Sequence, residues 1–78
     1  MPIKQDYVDE MNVLMQFSLD STQAGIKVHH DAEPHVVNAT KRLFEKGLVT
    51  QEDGGYLTSL GHEVAEHTQN AMMVLTRK

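Results

Sequence analysis

Residues 34–61 read PHVVNATKRLFEKGLVTQEDGGYLTSLG, and this stretch carries the clearest local signals of secondary structure in the chain. Pro34 suits the first turn of a helix, where its missing N–H would have no intrahelical partner. Gly47 stands where a residue in the left-handed conformation commonly ends a helix. The pair Asp53-Gly54 then indicates a turn between two short β-prone runs. The stretch therefore predicts a helix that starts at Pro34, ends before Gly47 and leads directly into a β-hairpin.

Helical periodicity extends the prediction on both sides of this stretch. Residues 6–17 carry apolar side chains at helical spacing, and so do residues 59–76, which would form a helix about 27 Å long at 1.5 Å per residue. Between the first and third helices, residues 21–28 predict a short second helix capped by Ser21. The predicted order is helix, helix, helix, hairpin, helix, in a single domain over residues 1–78.

The same periodicity predicts which side of each helix faces the core. The predicted inward residues are Tyr7, Val8, Met11, Leu14 and Met15 in the first helix and Val36, Ala39, Thr40, Leu43 and Phe44 in the third. The hairpin, which would be marginal alone, is expected to pack on these helices. Thr58 or Ser59 is the expected cap of the long last helix.

Length and composition exclude several classes of protein. Seventy-eight residues form one small domain, and a formal charge of -4 argues against a surface that binds nucleic acid all over, although a local basic patch remains open. The chain contains no cysteine, so disulfide and thiolate chemistry are excluded. There is neither a signal-peptide pattern nor an apolar run near the ~20 residues that span a bilayer. We therefore expect a cytoplasmic protein without membrane contact.

Two segments resemble winged-helix proteins. Segment 42–49, RLFEKGLV, resembles the exit of their recognition helix, and segment 56–61, YLTSLG, resembles the run that closes their wing. The whole chain, including segment 21–29, is similar to a family of short bacterial proteins, mostly from gammaproteobacteria, provisionally labelled DNA-binding. The resemblance implies a mostly α winged helix-turn-helix domain with a three-helix core, a small β-hairpin as the wing and a long C-terminal helix.

In such a fold the outward side of the third helix would enter the major groove of double-stranded DNA. Asn is suited to adenine and Arg to guanine, while Lys contacts phosphates. The predicted DNA-binding residues are His35, Asn38, Lys41, Arg42, Lys46 and Lys27. The sequence thus predicts a DNA-binding protein that acts in transcription regulation.

The predicted hairpin tip favours a different function. Glu52 and Asp53 stand where a DNA-binding wing usually offers Lys or Arg to a phosphate. The alternative prediction is a winged-helix module that binds a protein partner through its acidic wing and apolar tail and does not bind DNA.

The end of the last helix predicts self-association. Residues 71–75, AMMVL, are apolar all round the helix, and one small domain cannot bury every side of it. The predicted homodimer interface comprises Val13, Phe17, Ala71, Met72 and Leu75. Such a dimer would present two recognition helices to successive major grooves, about 34 Å apart. The alternative is that the methionines fill gaps in the subunit's own core.

Two histidine-containing segments have the composition of chemical sites. In segment 62–67, HEVAEH, the histidines are five residues apart, whereas zinc proteases space them by four on one helix face. His29, His30 and His35, with nearby Asp31 and Glu33, could form a metal site or a pH-dependent phosphate contact, but a polar turn explains them more simply. We predict no metal, no cofactor and no enzymatic activity.

Overall fold

The computed structural model describes residues 2–20 and 24–77, which form three helices and a three-stranded antiparallel sheet. In chain order the elements are α1 (Gln5–Leu14), β1 (Ile26–Lys27), α2 (Pro34–Glu45), β2 (Val49–Gln51), β3 (Gly54–Leu57) and α3 (Ser59–Thr76). The strand order is β1-β3-β2. None of these helices combines the length and the apolar character that crossing a membrane requires. The predicted mostly helical architecture with a small β-hairpin is confirmed at this level.

The start and end of α2 follow the predicted signals. Pro34 occupies the first turn, and Gly47 has a φ of 81°, a conformation that glycine adopts without steric penalty. The N–H of Leu48 donates to the carbonyl of Leu43 (2.9 Å) and that of Gly47 to Phe44 (3.0 Å). These two bonds satisfy carbonyls at the helix end and turn the chain into β2.

The predicted second helix, residues 21–28, is wrong where the structure describes it. Residues 21–23 lie outside the described part, whereas Ile26 and Lys27 form β1, paired with Gly55 and Gly54 of β3. Because the hairpin offers an unpaired edge, the β-branched Ile26 pairs with that edge instead of turning into a helix. The hairpin is thereby extended to a sheet of three strands.

The inward side of α1 differs from the predicted one. Tyr7 and Met15 are 46% and 40% exposed, whereas Val13 and Phe17 are buried at 1% and 3%. Val13 and Phe17 therefore belong to the core and are not available for the predicted dimer interface. Leu14 is buried as predicted, and the buried side of α1 also carries Asp9 and Glu10, which an apolar pattern cannot reveal.

The start of α3 is held against the strands. The Thr58 hydroxyl accepts a hydrogen bond from the N–H of Gly61 (3.0 Å), which confirms the predicted cap. A Cβ atom at Gly61 would overlap the carbonyl oxygen of Leu48, so glycine alone permits this close approach. The core lies between α1, α2, β2 and this part of α3, and its buried apolar residues are Val13, Leu14, Phe17, Ala39, Leu43, Leu48, Val49 and Ala65.

Candidate nucleic-acid interface

An open groove of about 560 Å³ lies between α2, the end of β1 and the hairpin tip. Lys27 borders it from β1, and Asn38 and Lys41 border it from α2. Three of the residues predicted to contact DNA thus come together around one concavity, although they derive from two separate elements.

Pairing of β1 with the hairpin brings Lys27 to this groove. Lys27 is opposite Gly54 in the sheet, and the next residue, Val28, donates its N–H to the carbonyl of Asp53 (2.7 Å). These backbone contacts hold the end of β1 beside the hairpin tip. The lysine is exposed, so its ammonium group is accessible to a ligand.

Helical spacing brings Asn38 and Lys41 to the same side of α2. Residues three apart on a helix are neighbours on its surface, and both side chains are exposed. Among the residues that the structure describes, neither Lys41 nor Lys27 forms an ion pair. Their charges are therefore not neutralised by a fixed carboxylate.

His35 lies one turn earlier on α2 and has a partner of its own. Its Nδ1 is 3.3 Å from a carboxylate oxygen of Glu33, and both side chains are more than half exposed. An exposed contact of this kind is easily exchanged for another partner. The neighbouring histidines His29 and His30 belong to the groove lining.

The hairpin tip brings negative charge to the same groove. Glu52 and Asp53 line it together with the lysines. The two carboxylates balance the formal charge of Lys27 and Lys41, so the groove is not a strongly cationic surface. Any anionic ligand has to contact the lysines while avoiding the tip.

Arg42 and Lys46 are directed away from the groove and toward α1. Arg42 Nε is 3.2 Å from a carboxylate oxygen of Glu10, and Lys46 donates to the other oxygen of the same carboxylate. Glu10 is only 5% exposed. Its two cationic partners compensate the loss of hydration of this buried carboxylate. These two of the six predicted DNA contacts consequently bind a neighbouring helix.

Two further residues of α1 complete this contact, which we call the Glu10 cluster: Glu10, Arg42, Lys46, Asp6 and Tyr7. The Arg42 guanidinium also donates to the backbone carbonyl of Asp6 (3.3 Å), and Lys46 Nζ lies 5.2 Å from the centre of the Tyr7 ring. A cation over an aromatic face is attracted by the ring quadrupole. The cluster joins α1 to the C-terminal half of α2.

Sequence reasoning missed Glu10, although one signal pointed to it. Positions 10, 13 and 17 form a row along the predicted first helix, and the other two members of this row, Val13 and Phe17, are large apolar residues. An acidic residue in an apolar row is a candidate for burial with a cationic partner. The partner could not be identified without knowing how α1 and α2 pack.

The histidine segments do not assemble a metal centre within residues 2–20 and 24–77, where no group of three or more His, Asp or Glu side chains could hold an ion. In segment 62–67, Nδ1 of His62 is 4.0 Å from a carboxylate oxygen of Glu66, one turn later on α3. This is an ordinary contact along a helix surface.

Comparison with known protein families gives a match over nearly the whole chain. A model described as a family of unknown function (DUF5669) matches residues 1–76. No curated protein and no solved structure matches the sequence.

Proposed function

The chain belongs to the family of unknown function DUF5669, and we propose that it binds double-stranded DNA through the groove side of α2. One observation carries this proposal: Lys27, Asn38 and Lys41 border the same open groove, and the two lysines form no ion pair within the described residues. Cationic side chains without a fixed carboxylate can release counterions from DNA when they contact phosphates.

The proposed contacts divide into two kinds. Lys27 and Lys41 contact phosphates and thereby position the protein, while Asn38 reaches an adenine edge with its amide. His35, on the same exposed side one turn earlier, supplies a further polar contact. Two phosphate contacts per chain give weak binding and a slope of about -1.8 in a plot of log K against log salt concentration.

The arrangement of α2 and the hairpin supports the winged part of the predicted winged helix-turn-helix, whereas β1 stands where the sequence predicts the helix that would precede α2. α2 leads directly into the β2–β3 hairpin, and β1 completes a sheet in which the hairpin lies beside the exposed side of α2. In this description α2 is the recognition helix and the hairpin is the wing. Because the wing tip is acidic, contact between DNA and the recognition helix is more favourable than contact between DNA and the wing.

The experiment is a titration of fluorescently labelled duplex DNA at low ionic strength, followed by anisotropy. The parent protein is expected to bind, and Lys41→Glu and Lys27→Glu are each expected to weaken binding by on the order of tenfold. The matched control is Lys4→Glu, which makes the same charge change at an exposed lysine of the segment preceding α1. Equal effects of all three substitutions, or no binding by the parent, would contradict the proposal.

A second candidate function, a protein-interaction module that does not bind DNA, is favoured by Glu52 and Asp53. These carboxylates line the same groove as the lysines, so a peptide with both charges could use it. In the same titration this function predicts no DNA binding by the parent. It also predicts that a variant combining Glu52→Gln with Asp53→Asn does not bind DNA. The proposed DNA-binding function predicts instead that this variant binds DNA more tightly than the parent.

A further inference from the structure

The last two turns of α3 extend beyond the rest of the molecule. The Gln69 side-chain amide donates to the carbonyls of Leu14 (3.2 Å) and Phe17 (2.9 Å), at the end of α1. Every residue from 70 to 77 is exposed, and Met73 and Leu75 are 68% and 76% exposed. A contiguous apolar surface of this kind marks an interaction site.

The side of α3 that packs on the core continues into this exposed segment. Ala65 is buried and Thr68 is half-buried, and Met72 follows on the same side two turns after Ala65. Leu75 lies one turn further. Met72 is 36% exposed and Leu75 76% exposed, so the core-facing side of α3 opens to solvent toward the end of the helix.

The residues along this side form a self-complementary row. Thr68, Ala71, Met72 and Leu75, which we call the α3 stripe, are separated by three, one and three residues. This spacing is unchanged when the helix is read backwards. Two antiparallel copies can therefore place Leu75 of each beside Thr68 of the other, with Ala71 and Met72 meeting at the centre. The small Ala71 side chain permits close approach of the two helices.

Charge favours a second copy of the chain over other occupants. The sequence contains no Asp, Glu, Lys or Arg from residue 67 to residue 76, so two stripes meet without unpaired charge. Antiparallel packing also sets opposite helix dipoles side by side. DNA gains nothing from an uncharged apolar row, and a membrane-bound helix would carry several basic residues on its polar side.

We propose that two copies of this chain associate by antiparallel packing of their α3 stripes. Val13 and Phe17 take no part, because they lie in the core. The stripe has four residues per copy, far fewer than the roughly 20–30 residues a side of a stable interface. The dimer is accordingly weak, and it dissociates on dilution below micromolar concentrations.

The test is sedimentation equilibrium of the full chain over a range of micromolar concentrations. The average mass of the parent rises from one subunit toward two. Met72→Glu weakens association at least roughly tenfold, since it buries a carboxylate in the apolar row. The control is Met73→Glu, the same change at the next residue, on the opposite side of α3, which leaves the mass curve unchanged. Far-ultraviolet circular dichroism establishes that both variants are folded.

The orientation of the two α3 helices is tested by cysteine cross-linking. The chain has no native cysteine that could form other disulfides. A mixture of the Thr68→Cys and Leu75→Cys variants forms a mixed disulfide under mild oxidation, whereas Leu75→Cys alone does not. In the antiparallel pair the two residues 75 are about 10 Å apart along the helices, beyond the ~7 Å that a disulfide spans. The proposal is overturned by a single-subunit mass at every concentration, by equal effects of the Met72 and Met73 substitutions, or by efficient cross-linking of Leu75→Cys with itself.

Discussion

The two sides of α2 carry the same types of cationic residue in opposite situations. On the side facing α1, Arg42 and Lys46 bind the buried carboxylate of Glu10. On the groove side, Lys41 is exposed and forms no ion pair within the described residues. Lys41 and Arg42 are neighbours in sequence, yet one is open to a ligand and the other holds two helices together.

This difference shows that a count of charges on a helix overestimates its capacity to bind an anion. The segment around α2 has a net positive charge, but two of its cations are compensated by one acidic residue of α1. A cation contributes to ligand binding only when no fixed carboxylate of the same protein has neutralised it. Substitutions that separate stability from DNA binding test whether the two sides of α2 differ in this way.

The largest effect is expected on the α1 side. Glu10→Ala removes the shared carboxylate of Arg42 and Lys46 and should lower the free energy of unfolding by about 2–3 kcal/mol. Urea denaturation measures this loss. Glu45→Ala, at an exposed acidic residue of α2 without an ion pair in the described part, should change it by less than about 0.5 kcal/mol. Similar losses in both variants would mean that the Glu10 cluster does not stabilise the fold.

The adjacent residues Lys41 and Arg42 should give opposite results. Lys41→Gln is expected to reduce the salt slope of DNA binding by about 0.9 and to leave stability unchanged. Arg42→Gln is expected to cost about 1–2 kcal/mol of stability and to leave the affinity of the folded protein unchanged. Anisotropy titrations at several salt concentrations and denaturation curves provide the two readouts. If Arg42→Gln also weakened DNA binding, this result would mean that both sides of α2 contact the DNA.

A smaller effect is expected from neutralising the hairpin tip. Glu52→Gln combined with Asp53→Asn removes two negative charges from the groove and should raise DNA affinity about twofold to threefold at low salt. The backbone hydrogen bond from Val28 to Asp53 remains in this variant, so β1 keeps its position. The increase should vanish at high salt. An unchanged affinity would mean that the bound DNA does not approach the hairpin tip.

The smallest effect concerns the aromatic ring of the Glu10 cluster. Tyr7→Leu preserves an apolar side chain but removes the ring beside Lys46, and it should cost about 0.5 kcal/mol. Thermal unfolding of this variant alone and combined with Lys46→Gln measures the coupling between the two residues. Strictly additive losses would show that the ring does not interact with the ammonium group.

The sequence was sufficient to predict the elements whose signals are local. Pro34, Gly47 and Thr58 mark helix ends by their own backbone geometry or by a hydrogen bond within three residues. The hairpin follows from its turn residues in the same way. These features depend little on the rest of the chain, which is why α2, the hairpin and the start of α3 were predicted close to their observed bounds.

Features that depend on distant partners were not predictable. Ile26 became a strand because the far edge of the hairpin was available to pair with it. Glu10 is buried because Arg42 and Lys46, more than thirty residues later, neutralise it. For the candidate site, the sequence identified Lys27, Asn38 and Lys41, but it could not separate them from Arg42, whose orientation depends on how α1 and α2 pack.

The paired hydrogen bonds of Gln69 divide α3 into two parts with different roles. The residues before it include the buried Gly61 and Ala65, whereas residues 70–77 are exposed. A chain shortened just beyond Gln69 should consequently reach the same tertiary structure and melt at nearly the same temperature. Substitutions in the outer two turns should then carry little penalty to folding, so this segment can change its surface while the body of the molecule stays the same.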